Sequence, residues 1–66
     1  MTLTRPLNRE LALSALHWYD MHASYLQSAK AFRRCGNRDR TRLCLRESRA
    51  ALVRAEELLY AAEAGS

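Results

Sequence analysis

Gly36 and Asn37 interrupt this 66-residue chain, and on each side of them run more than twenty consecutive residues without glycine or proline. Glycine and asparagine are the two residue types that most readily take the left-handed conformation ending a helix, so this dipeptide marks an elbow. On both sides Ala, Leu, Arg and Glu dominate, while Val occurs once and Ile not at all, which favours helices and leaves little material for strands. The expected fold is all-α: one domain over residues 1–66, with a helix over about 6–34, an elbow at 35–38 and an antiparallel helix over about 39–64.

Thr4 or Asn8 is suited to cap the first helix, with Pro6 tolerated in a first turn and Glu10 near the positive end of the dipole. Leu11, Ala15, Trp18, His22, Tyr25, Ala29 and Phe32 then follow a 4-3-4-3-4-3 spacing, the signature of a seam held against one partner helix. Ala12, Leu16, Tyr19, Ala23 and Leu26 repeat that spacing one residue later, so the apolar face is about twice as wide as one neighbour covers. Leu13 and Met21 fall on the opposite, serine-rich side and are expected to be exposed.

Asp39, or Asn37 if the second helix begins earlier, is its expected cap. Cys44, Leu45, Ala51, Leu52, Ala55, Leu58, Leu59 and Ala62 form its apolar stripe, with Ser48 inside it. Folding about the elbow sets residues whose numbers add to about 73 side by side: Trp18 by Ala55, Tyr25 by Ser48, Ala29 by Cys44. Large side chains then meet small ones.

A chain under about 70 to 80 residues seldom builds a sufficient core alone. Leu16, Tyr19, Leu26, Leu45, Leu52 and Leu59 remain outside the hairpin seam and are the expected interface of a homodimer, two hairpins completing a four-helix bundle.

Charge is polarised along the chain. From Lys30 to Arg54 there are nine basic residues against two acidic, a balance of +7, and elsewhere two against five, a balance of −3. Arg40 and Arg42 fall at the positive end of the second helix, where each is unfavourable by roughly 0.3 to 1 kcal/mol. Charges placed against local stability point to binding, and Arg34, Arg38, Arg40, Arg42, Arg46 and Arg49, with the apolar Leu43 and Val53, form the expected partner-binding surface.

Catalysis finds no support, because a two-helix hairpin offers little concavity in which a nucleophile and a base could converge. His17 and His22 lie about 140° apart around a helix and cannot close on one ion, so no metal or cofactor is expected. Cys35 and Cys44 lack C-x-x-C spacing and are expected to be free, partly buried thiols. No run of about 18 apolar residues spans a membrane, and the first residues lack the apolar core of a signal peptide, so the expected location is the cytoplasm.

In architecture and in its Ala/Arg/Leu-rich composition, the chain resembles small phage-encoded helical-hairpin proteins that disable a host factor, such as the quorum-sensing anti-activator of Pseudomonas phages. That resemblance implies a non-enzymatic inhibitor of a bacterial regulatory protein, a transcription regulator, acting in the host cytoplasm with no membrane partner. The chain is also similar to the plasmid copy-number regulator, a dimer of hairpins that clamps RNA. Nucleic acid is therefore the second expected partner class.

Overall fold

The computed structural model describes residues 8–64, which form two helices, α1 (Arg9–Arg34) and α2 (Arg38–Ala64), packed antiparallel as a hairpin. Among the described residues there is no strand. Asn8 holds the N-cap of α1 with an extended backbone, and its side-chain oxygen accepts from the Leu11 amide at 3.2 Å. That fills one of the amide donors a helix start leaves unpaired. The other expected cap, Thr4, lies outside the described residues.

The elbow is closed by hydrogen bonds that follow from its two special residues. Gly36 has φ +77°; its amide donates to the Arg33 carbonyl at 3.1 Å, and the Asn37 amide donates to the Phe32 carbonyl at 2.9 Å. This paired 5→2 and 6→1 arrangement satisfies the last carbonyls of α1. Asn37 then serves the next helix as well, its side-chain oxygen accepting from the Arg40 amide at 3.0 Å and its carbonyl from the Thr41 hydroxyl at 2.8 Å. The cap is thus Asn37 and not Asp39, the elbow shortens to 35–37, and α2 begins one residue earlier than expected. An amide side chain that already ends one helix is in place to start the next, which leaves Asp39 inside the first turn of α2.

A β-carbon added at Gly36 meets no atom within 4 Å, so the objection to L-alanine there is conformational alone. Gly36→Ala is expected to cost about 1 to 2 kcal/mol in chemical denaturation. A synthetic chain carrying D-alanine at this position should instead gain about 0.4 to 1 kcal/mol, because D-alanine favours positive φ and narrows the unfolded ensemble.

The seam is built from small residues. Ala15 and Ala29 of α1, and Ser48, Ala51, Ala55 and Ala62 of α2, are buried. Leu11, Trp18, His22, Tyr25 and Phe32 are half-buried around them, so every member of the first 4-3 repeat faces α2. On α2 the matching repeat runs Cys44, Ser48, Ala51, Ala55, Leu58, Ala62, all buried or half-buried. Alanines at the contact let two backbones approach closely, and the larger side chains splay to either side.

The register differs from the expected one. His22 meets Ser48, and the Asn8 amide donates to the Ala62 carbonyl at 3.1 Å, so the residues that lie level have numbers adding to 70 rather than 73. Volume matching alone had set Tyr25 beside Ser48. The contact that marks this register is polar: Ser48 is 2% exposed, and its hydroxyl is satisfied across the seam by His22. With its proton on Nδ1, His22 donates to the Ser48 carbonyl at 2.8 Å, and the Ser48 hydroxyl donates to the His22 carbonyl at 3.4 Å. With the proton on Nε2, Nδ1 accepts from the hydroxyl at 2.8 Å. His22 is thereby bound into the hairpin, whereas His17 is exposed and sets its ring edge-to-face with Trp18 at 5.7 Å.

Two further expectations change. Met21 is half-buried, because the wide Trp18 and Tyr25 rings beside it extend the covered surface, while Leu13 is 57% exposed as expected. Cys35 is exposed and only Cys44 is half-buried; both are free.

Candidate partner-binding surface

Two features of the hairpin are available to a partner: the arginine-rich elbow with the outward side of α2, and one broad apolar face. At 100° per residue, Arg38, Arg42, Arg46 and Arg49 fall within an 80° strip on the side of α2 turned away from α1. All four are exposed. Val53, 49% exposed, and Tyr60, 73% exposed, continue the strip toward the open end, and Leu43, 50% exposed, flanks it. Arg34 is exposed at the end of α1. None of Arg34, Arg38, Arg42, Arg46 and Arg49 forms an ion pair among the described residues; Arg54 does, with Glu57 at 3.8 Å. That pair is exposed on both sides and contributes little.

Arg40, also exposed, has a contact that the linear sequence does not show. Its guanidinium sits over the Phe32 ring, 5.8 Å from the centroid, and braces α2 against the end of α1. A cation over an aromatic face is worth roughly 0.5 to 1 kcal/mol at an exposed site, similar in size to the dipole penalty at that position. Arg40 therefore has a structural explanation that Arg38 and Arg42 lack.

An open concavity of about 460 Å³ lies at the elbow, lined by Arg33, Gly36, Arg38, Thr41, Arg42 and Leu45. It adjoins a smaller one lined by Leu26, Ala29, Lys30, Arg33, Thr41 and Leu45. Lys30 and Arg33 were missed as site residues, yet their positions were legible: they extend the Ala12, Leu16, Tyr19, Ala23, Leu26 repeat by four and then three residues, so the second seam turns basic as it reaches the elbow. Tyr60 lies outside the apolar stripe traced through Leu58, Leu59 and Ala62, at the angle of the arginine strip.

The broad face carries that second seam. Leu16 is 59% and Leu45 48% exposed, while Tyr19, Leu26, Leu52 and Leu59 are half-buried by their own hairpin. Residues 12, 16, 19, 23 and 26 of α1 and 45, 52 and 59 of α2 point to the same side, as the shared lining by Leu26 and Leu45 attests.

Among the described residues no three His, Cys, Asp or Glu side chains are grouped to hold a metal ion, and no helix is long and apolar enough to cross a membrane. Fold and surface together define an all-α helical hairpin with an apolar face and a basic elbow. Comparison with protein-family models, with curated proteins and with solved structures gives no match to this chain.

Proposed function

We propose that the protein is a homodimeric binding protein without catalytic chemistry, which inhibits a bacterial regulatory protein by covering an acidic surface on it. The observation that carries this reading is the strip of exposed arginines without ion pairs, Arg38, Arg42 and Arg46, continued by the exposed Val53 and Tyr60. Arginine and tyrosine are enriched where interfaces concentrate their binding energy, since the guanidinium fork engages carboxylates and its stem covers apolar surface. Apolar side chains adjoining the arginines favour a protein surface over a nucleic-acid backbone, which presents phosphates. The resemblance to phage anti-activators supports a regulatory target, with the cytoplasm as the site of action. Dimerisation is supported by the apolar face bearing Leu16, Tyr19, Leu26, Leu45, Leu52 and Leu59, on a hairpin whose buried residues, among those described, are only alanines and Ser48.

The triple variant Arg38→Glu, Arg42→Glu, Arg46→Glu tests the surface, with Arg40 left in place because of its contact with Phe32. Capture from bacterial lysate, with and without nuclease, should yield a protein partner on the native chain and none on the variant, at unchanged helicity by circular dichroism. Capture that survives the charge reversal excludes the strip. Capture that disappears with nuclease, or binding to duplex DNA or structured RNA that weakens by about a hundredfold between 50 and 200 mM salt, transfers the proposal to nucleic acid.

A further inference from the structure

We infer that the second copy docks on the apolar face antiparallel to the first, with each basic elbow over the other's acidic open end; this rests on the homodimer proposed above. The twofold relating two such hairpins runs either along the helices, bringing the elbows together, or across them, sending the elbows to opposite ends. The apolar positions alone permit both. Charge separates them: the elbow segment Lys30–Arg54 carries +7 and the remainder −3. Elbow against elbow superposes two segments of like charge, whereas the crosswise twofold sets each over the oppositely charged end.

The register of the hairpin locates that axis. On α2 the outward leucines are Leu45, Leu52 and Leu59, spaced by seven and centred on Leu52. On α1 the second seam from Ala12 to Leu26 is centred on Tyr19. Since level residues have numbers adding to 70, Tyr19 lies level with residue 51, one position from Leu52. Both apolar repeats therefore share one centre, through which a single crosswise twofold can pass. It sets Leu26 over the partner's Ala12 and Leu45 over the partner's Leu59, so a large side chain again meets a small one on α1. Arg49 and Glu56 lie on the same edge of this face, three residues before Leu52 and four after it, so Arg49 meets the partner's Glu56 and the contact occurs twice. Both residues are exposed in the single hairpin, and neither has an ion-pair partner among its described residues.

Cys35, exposed at the elbow, is a ready site for a spin label in a Cys44→Ala background. It lies sixteen residues from the level of Tyr19, so the crosswise dimer separates the two labels by about 50 Å at 1.5 Å per residue, while the lengthwise dimer holds them within about 25 Å. A dimer by light scattering with the long distance supports the inference. A dimer with the short distance overturns it and leaves dimerisation standing, and a monomer at all concentrations overturns both. An unlabelled check on the native chain is oxidation: a Cys35–Cys35 disulfide that forms readily is the mark of elbows together. Arg49→Glu and Glu56→Arg should each weaken the dimer by about tenfold, and the two combined should restore it. Additive losses in the double variant remove the proposed contact.

Discussion

Replacing Ala55 by leucine is expected to lower the thermal midpoint by about 10 to 20 °C, the largest effect of any single aliphatic substitution in the hairpin. Ala55 is fully buried at the contact between the helices, with Ala51 and Ala62 one turn and two turns away equally enclosed. A leucine there has no void to enter. Two rigid helices in close contact do not yield locally, so the added branch forces them apart along several turns and loosens contacts that include His22 with Ser48. Overpacking costs about 2 to 3 kcal/mol in such settings, a large share of what a 66-residue chain possesses. Ala50, the preceding residue, is exposed, and leucine there should change the midpoint by only a few degrees. Scanning calorimetry of both variants checks the contrast, and equal effects at 50 and 55 would remove close backbone approach as the basis of the seam.

Leu52→Glu is expected to convert the protein to a monomer at micromolar concentration and to lower its stability in the same step. If the twofold passes by Leu52, the variant sets two carboxylates against each other at the centre of the interface, where a like charge costs most. Because association and folding are linked, the native midpoint should rise with protein concentration, and that dependence should vanish in the variant. Val53→Glu, one residue away on the outward strip, should leave the dimer intact. Light scattering and thermal scans over a hundredfold range of concentration decide it; a native midpoint independent of concentration speaks against pairing altogether.

Arg40 shows how a charge acquires, in space, a neighbour that the linear chain does not reveal. In sequence it is one of three arginines at the start of a helix that opposes them; in the structure the ring of Phe32, eight residues earlier across the elbow, lies under its guanidinium. Arg38 and Arg42 have no such neighbour among the described residues, so the same reasoning still points to them. Lys30 and Arg33 illustrate the reverse: the 4-3 repeat had placed them, but attention to apolar residues stopped the repeat at Leu26.

The two helices, the elbow at Gly36 and Asn37, the members of both seams and the separation of charge along the hairpin all follow from the order of the residues. These depend on backbone preference, on a period of 3.6 residues and on composition, each of which is local and readable residue by residue. Folding alone settles which cap starts α2, the three-residue offset in register, and which arginine is braced and which have no such contact among the described residues. Each of those depends on a contact between side chains or backbone groups brought together by folding, Asn37 with Arg40, His22 with Ser48, Arg40 with Phe32. Alternative registers of two alanine-rich helices differ little in buried volume, so a few directional polar contacts choose among them, and linear spacing does not record direction.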